Sequence, residues 1–295
     1  MSTPSPTSTA DLALHFLETR SPSHPTSSSA SLLSQISHRQ KIISYFSIPA
    51  GSRVLEIGCG QGDTTIVLAD TVGPSGHIDA LDPGSPDYGS PFTLSQAQSH
   101  ILSSPLGPRI TFHNTSPLAY LTSYTGPPYD FIIFVHSTYY FATPSVLPSI
   151  LAIPLLGTPR ICIAEWSLRA RTPVSYPHVL VVLVMAMLEN MRRGDGSGNV
   201  RTVMAPARLR EVVGERYGVV REEYLGSGEG MRDGVWEVGY ILRREREGRV
   251  FEGVEAGEGM RGVVGAMVGA LGEAVEGLGG VEGVECMDVW VGVFS

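Results

Sequence analysis

The sequence predicts an α/β protein built on an open, doubly wound, mostly parallel sheet. Three observations carry this. Short apolar runs bounded by turn residues recur as strand candidates between Val54 and Trp166, and segments of helical period separate several of them. The first run stops at three glycines on alternate positions, Gly58, Gly60 and Gly62, and continues as a helix. A last apolar strand, Cys286 to Phe294, closes the chain. Strands alternating with helical crossovers imply a parallel sheet covered by helices on both faces.

Taken in order, Met1 to Ala10 and Ser21 to Ser29 are dominated by Ser, Thr and Pro and are expected to be loose, making residues 1–29 a flexible leader. Asp11 to Thr19 suits a short helix and Ser31 to Phe46 a longer one, with Leu32, Leu33, Ile36, Ile43 and Phe46 near the helical period. His38 and Arg39 lie on that helix and could face the pocket, with a solvated face the preferred reading of both. Val54-Leu55-x-Ile57 is a buried strand, and Asp63 is expected to cap the helix after the glycines. The second strand is His77 to Asp82, followed by a helix over Thr93 to Ser103. Arg109 to His113 is the third strand. Tyr129 to Val135 and Pro159 to Trp166 are the fourth and fifth, free of internal Gly and Pro, with a short helical crossover over Pro144 to Leu156.

Val174 to Met191 is an unusually apolar helix. It would lie under other elements, line a hydrophobic pocket or make a subunit contact, and the pocket or lid reading is preferred. Gly194 to Asn199 is expected to be a flexible loop, Ala205 to Tyr217 a helix and Val219 to Leu225 the sixth strand. Trp236 to Arg246 fits strand or helix. Gly257 to Leu278 is a helix weakened by glycines at about 1 kcal/mol each against Ala, unless close packing of small residues compensates.

A strand that runs through Gly58-x-Gly60-x-Gly62 into a helix lets a ligand lie against bare backbone at the helix N-terminus. The spacing departs from the dinucleotide fingerprint, and an acid, Glu56, stands two residues before the first glycine. Asp82 follows twenty residues after Gly62, at the carboxyl end of the second strand, where an acid can accept both hydroxyls of a ribose. Glu56-x-Gly58-x-Gly60-x-Gly62 resembles the first motif of class I S-adenosylmethionine-dependent methyltransferases, and the resemblance extends over roughly Arg53 to Leu225 plus the final strand. It implies a seven-stranded sheet with an antiparallel last strand, N-terminal helices, and a helical insertion at 234–280 before that strand. Residues 30–295 then form one cofactor-binding domain.

The same resemblance implies S-adenosyl-L-methionine as cofactor and S-adenosyl-L-homocysteine as product. Gly58, Cys59, Gly60 and Gly62 would approach its methionine part. Glu56 would organise the loop, through backbone amides or toward the cofactor's amino group, and Asp82 with Pro83 would meet the ribose. The adenine amino group often meets an acid at the third strand's end; Asn114 and Ser116 stand there in this chain. His136, directly after the fourth strand, is the candidate base beside the cofactor, with Glu165 as a second candidate for orienting or deprotonating the acceptor. Tyr139, Tyr140 and Trp166 are candidate walls for the sulfonium or an aromatic acceptor. No metal site is expected.

Composition narrows the partners. Lys+Arg 21 against Asp+Glu 29 leaves a net charge of −8, and Lys41 is the one lysine, so nucleic acid is not the expected substrate. Cys59, Cys162 and Cys286 share no metal-ligand spacing and suit a reducing compartment. No secretory signal opens the chain, and the run Val179 to Leu188 is too short to span a bilayer, so a cytoplasmic protein without a membrane partner is expected. Monomer and homodimer stay open. The expected activity is methyl transfer to an O or N atom of a small, largely apolar molecule. Alternatives are a non-methylating reaction with bound cofactor, such as pericyclic or elimination chemistry, and, behind it, a nicotinamide-dependent oxidoreductase. A pure interaction role comes last.

Overall fold

A computed structural model of the chain describes residues 7–17, 27–154, 156–192 and 198–295. Most of the N-terminal stretches expected to be loose, and residues 194–197 of the expected loop, lie outside these. In chain order the elements are α1 (Thr9–Ala13), α2 (Ser27–Phe46), β1 (Arg53–Ile57), α3 (Asp63–Val72), β2 (His77–Leu81), α4 (Leu94–Leu102), β3 (Ile110–His113), α5 (Pro117–Ser123), β4 (Phe131–Val135), α6 (Val146–Ala152), β5 (Arg160–Trp166), α7 (Tyr176–Asn190), α8 (Pro206–Gly214), β6 (Val219–Leu225), α9 (Asp233–Arg246), α10 (Glu258–Gly277) and β7 (Val289–Phe294).

The seven strands form one sheet in the order β3-β2-β1-β4-β5-β7-β6. β1 to β5 are parallel, and β7 runs antiparallel between β5 and β6. The inner strands are apolar along their whole length because helices cover both faces; all five residues of β4 are buried. β6 is the solvated edge, where Arg221, Glu222 and Glu223 discourage further strand pairing. One face packs on α5, α6 and α8 through Leu121, Ile150 and Leu209, and the other on α2, α3, α7, α9 and α10 through Ile36, Val67, Val181, Val238 and Leu271. The antiparallel β7 separates this sheet from the all-parallel dinucleotide-binding order.

Four expectations are corrected here. Residues 7–17, part of the expected loose leader, dock on the body: Leu12 and Phe16 are buried, and Thr7 Oγ1 donates to Asp70 Oδ1 at 2.6 Å. The cap position of α3 is taken by Gly62 in the left-handed region (φ 97°), with Asp63 as the first helical residue and an ion-pair partner of Arg39. α7 is neither lid nor pocket wall along its middle. The window Pro173–Asn190 is long and apolar enough to cross a membrane, yet α9 and α10 pack on it and Val181, Val182 and Val184 are fully buried. Finally, small-residue packing does not rescue α10. Cβ atoms built on Gly259, Gly262, Gly265 and Gly269 would meet nothing within 4 Å, and the stripe Val264, Val268, Leu271 and Val275 holds the helix instead. The same kind of stripe, Val235, Val238 and Ile241, settles α9 as a helix.

Candidate active site

The glycine loop sits where β1 ends. Gly58 and Cys59 both donate their main-chain N–H to Leu81 O, the last carbonyl of β2, at 2.8 and 3.0 Å. Gly58 adopts φ +78° and lies so close to the end of β4 that a Cβ on it would come within 2.5 Å of Ser137 Cβ. Gly60 (φ +53°) differs: a Cβ there would meet no protein atom within 4 Å. Its bare backbone borders open space, beside the N-terminus of α3, which no side chain caps. Glu56 is buried under this loop and accepts from Thr65 Oγ1 at 2.6 Å; burial pushes its carboxyl pKa up to about 8.

Asp82 follows the last residue of β2 and braces the turn. Oδ2 accepts from Gly60 N–H at 2.9 Å and Oδ1 from Gly84 N–H at 2.8 Å. Asn114 Nδ2 donates to Asp82 O and Gly84 O, joining the ends of β2 and β3. Asp82 and Asn114 line a groove of about 210 Å³ with Gly84, Pro86, Leu94 and Gln98. Pro83 is exposed next to it. Ser116 is elsewhere employed: its hydroxyl caps α5 by accepting from Ala119 N–H at 3.2 Å.

At the ends of β4 and β5 a second cluster forms. His136 leaves β4 in the left-handed region (φ 49°), a strained backbone that turns the chain into the 3-10 turn at 138–140. Its Nδ1 lies 3.6 Å from Glu165 Oε1, and its Nε2 lies 2.9 Å from Nε2 of His38, delivered by α2. Glu165 is buried and heavily engaged. It accepts from Thr138 N–H (2.9 Å), Thr138 Oγ1 (2.7 Å), Tyr139 N–H (3.3 Å) and Trp166 N–H (3.0 Å). The Trp166 ring stands 4.5 Å from His136, 6.1 Å from His38 and 4.8 Å from His178, centroid to centroid.

Of the expected walls, Tyr139 is buried with its hydroxyl donating to Trp166 O at 2.8 Å, and Trp166 is buried as well. Tyr140 exposes 54 % of its surface. Its phenol pKa is raised, first by burial and then by the charges of Glu237, Asp233 and Glu165. The structure thus brings Glu56, Gly58, Cys59, Gly60, Gly62 and Asp82 together in one loop system, with His136, Glu165 and Trp166 alongside through the Gly58–Ser137 contact. Cys59 is buried there as a thiol whose pKa is pushed well up by burial.

Reading the sequence as a solvated α2 face missed His38, which is buried, and Arg39, whose guanidinium meets Asp63 at 3.1 Å. His38 follows Ile36 by two positions, and nothing in a helical period distinguishes a histidine bound for this contact from a surface one. Ser137 was likewise unmarked, and its buried hydroxyl has no hydrogen-bond partner.

Methionine and ribose chemistry fit these residues. Gly60 leaves open space beside its Cα for a ligand, a helix N-terminus that no side chain caps suits a carboxylate, and Ser137 Oγ, beside Gly58, is a buried hydroxyl with no hydrogen-bond partner. Comparison with known proteins agrees. Residues 22–83 match the family model of protein-L-isoaspartate(D-aspartate) O-methyltransferase. The methyltransferase phomM of Diaporthe leptostromiformis is 31 % identical over 160 residues, 48 % of this chain and 41 % of that protein, so the match spans less than half the length of this relative. A solved cyclopropane-fatty-acyl-phospholipid synthase-like protein from Lactobacillus casei is 26 % identical, with a TM-score of 0.77 over 97 % of this chain and 98 % of its own. The fold, at 13 % identity, is also that of the [4+2]-cyclase SpnF (TM-score 0.51; 88 % and 79 % covered). Glycine-loop motif, sheet order and these relatives together support a class I, Rossmann-like S-adenosylmethionine-dependent methyltransferase.

Proposed function

We propose that the chain transfers the methyl group of S-adenosylmethionine to an O or N atom of a small, largely apolar molecule. One observation carries this reading: the contact of Gly58 with Ser137 seats the cofactor loop directly against the strand end that presents His136. The cofactor, when bound, supplies an electrophilic methyl carbon on a sulfonium. The chain's own residues do the rest. Gly58, Gly60 and the start of α3 would hold the amino-acid end, and Asp82 would accept the ribose hydroxyls. Asn114 closes the groove beside Asp82. His136, 3.6 Å from Glu165 and packed beside Trp166, is the candidate to take a proton from the acceptor. Orientation and exclusion of water contribute most of the rate, because methyl transfer asks little covalent chemistry of the protein. The acidic net charge and the three buried thiols are in keeping with a small-molecule acceptor and a cytoplasmic location.

The test is formation of S-adenosylhomocysteine from S-adenosylmethionine by the purified chain, with panels of phenols, carboxylic acids, amines and unsaturated phospholipid vesicles. Heteroatom methylation supports the proposal. Product from the vesicles alone would move the acceptor to carbon, the chemistry named for the Lactobacillus casei relative.

A second reading keeps the cofactor and drops the transfer. It is favoured by how fully Glu165 and Tyr139 are occupied by main-chain partners, which leaves little freedom for acid–base work. The SpnF name attaches pericyclic chemistry to this fold. Substrate conversion with no S-adenosylhomocysteine formed would select it.

A further inference from the structure

The turn after β5 holds a strained backbone: Leu168 adopts φ 56°, a region that residues with a side chain sparsely populate. The residue before β7 pins it there. Ser167 N–H and Oγ both donate to Asp288 O, at 2.9 and 2.7 Å, and Asp288 N–H donates to Arg169 O at 3.2 Å. Two arginines leave this turn beside one buried carboxylate. Asp288 meets Arg171 Nε at 3.2 Å and Arg169 Nε at 3.9 Å. Both arginine side chains are more than half exposed, and among the described residues no hydrogen-bond acceptor takes their Nη groups.

A third cation arrives from α2. Lys41 Nζ donates to Gly226 O at 3.1 Å, just past β6, and pairs with no carboxylate among the described residues. A Cβ built on Gly226 would stand 3.3 Å from Arg171 Nη1, so Lys41 and Arg171 meet at one residue. Arg169 lies over the Tyr224 ring at 4.9 Å, two positions earlier. Three cations thus gather at the end of β6 against the single carboxylate of Asp288, in a chain whose net charge is −8.

This is the ligand side of the sheet. β5 and β6 both pair antiparallel with β7, so they run the same way and end at the edge beyond which ligands of such sheets sit. The cations also adjoin the aromatic cluster. His38 and Trp166 stack at 6.1 Å, and three positions after each comes a cation, Lys41 and Arg169. Three helical residues rise about 4.5 Å, so Lys41 stands nearly one turn along α2 from His38. Free guanidinium forks and an ammonium suit a carboxylate or phosphate, whose oxygens accept paired N–H donors.

We propose that Lys41, Arg169 and Arg171 form an anion subsite, and that the acceptor is an apolar molecule carrying a carboxylate or phosphate group. Its anionic end docks on this rim and its apolar body lies toward Trp166. The identity of the ligand as acceptor rests on the methyltransferase reading, but the anion subsite does not.

The experiment titrates the full chain with octanoate, octyl phosphate, neutral octanamide and inorganic phosphate, followed by NMR. Lys41 is the one lysine, so isotope-labelled reductive methylation gives it a single side-chain signal beside that of the N-terminus. The indole N–H of Trp166 reports the other end. Octanoate and octyl phosphate should move both signals saturably, inorganic phosphate Lys41 alone, and octanamide neither. Lys41→Glu and Arg169→Gln, both at exposed positions, should each weaken octanoate binding about tenfold as read from Trp166, and added salt should weaken it further. Equal effects of octanoate and octanamide, or unchanged affinity in both variants, overturn the proposal. So does a Lys41 signal that responds to anions while Trp166 responds to no probe, because the rim would then hold ions apart from the site. Arg171→Gln bares the buried Asp288; should that variant not fold, the two exposed ones decide. Co-sedimentation with phosphatidylglycerol vesicles that Lys41→Glu abolishes would make the anion a lipid headgroup, and its absence a soluble acid or phosphate ester; either carries the proposed group. Failure to bind S-adenosylhomocysteine would instead strike the methyltransferase reading and leave the Lys41 titration untouched.

Discussion

The carboxylate of Asp82 accepts the main-chain N–H of Gly60 at 2.9 Å, so the acid after β2 and the middle glycine after β1 form one unit before any ligand arrives. Its second oxygen holds Gly84 N–H at 2.8 Å. Asp82→Ala therefore removes the proposed ribose acceptor and loosens the loop together. Hydrogen bonds to charged groups contribute about 1.5–3 kcal/mol each, so affinity for S-adenosylhomocysteine falls on the order of tenfold to a hundredfold by calorimetry. Asp82→Asn keeps one acceptor oxygen and loses less. Equal affinity in both variants and wild type would remove Asp82 from the site.

Gly60→Val separates binding from folding. A β-branched residue at φ +53° costs about 1–3 kcal/mol of strain, and its side chain projects into the space that borders the loop. Circular dichroism should show the native sheet with a lowered Tm, while cofactor binding is lost. Retained binding in a folded Gly60→Val variant would contradict the loop's assignment.

Glu56 makes stability depend on pH. Its folded pKa of about 8 lies above the ordinary 4.5 because burial disfavours the carboxylate, so the folded chain binds more protons than the unfolded chain between those values. The stability this group contributes is full below pH 4.5 and is lost as pH rises through about 8. Glu56→Gln removes the dependence. Urea unfolding should show the variant gaining on wild type from about pH 5 upward, by an amount of the order of 1 kcal/mol per pH unit, and levelling off above about 8. A difference that is flat with pH would show that Glu56 is charged throughout.

Glu165 is a structural brace for the turn at 138–140. Three main-chain N–H groups and the Thr138 hydroxyl point at its carboxylate. Glu165→Ala strands these buried donors and should cost about 3 kcal/mol in denaturant unfolding, with Glu165→Gln milder. A loss below about 0.5 kcal/mol would mean the turn at 138–140 holds itself.

Much of this was written in the chain. Uninterrupted apolar runs such as Phe131–Val135 marked the buried parallel strands, and Gly58, Gly60 and Gly62 marked the loop, because a close approach to Ser137 and positive φ both require glycine. The apolar surplus of α7 gave burial but not its cover, since Val181 reads the same under α9 and α10 as against a pocket. α5 escaped notice although Ser116-Pro117 is a sound helix start, because its seven residues are too few to show a period. His38 escaped because its partner is 98 residues away and contacts at that separation leave no local pattern. Ser116 looked like an adenine contact by position alone, yet the same position is the cap of α5.

The Gly58–Gly62 loop and Asp82 together are proposed to form an S-adenosylmethionine site. Isothermal titration calorimetry of the purified chain with S-adenosylhomocysteine tests it most directly. Saturable binding at one site per chain with micromolar affinity, abolished by Gly60→Val, is the expected result. No binding to the folded wild-type chain, or binding that Gly60→Val leaves unchanged, would contradict it.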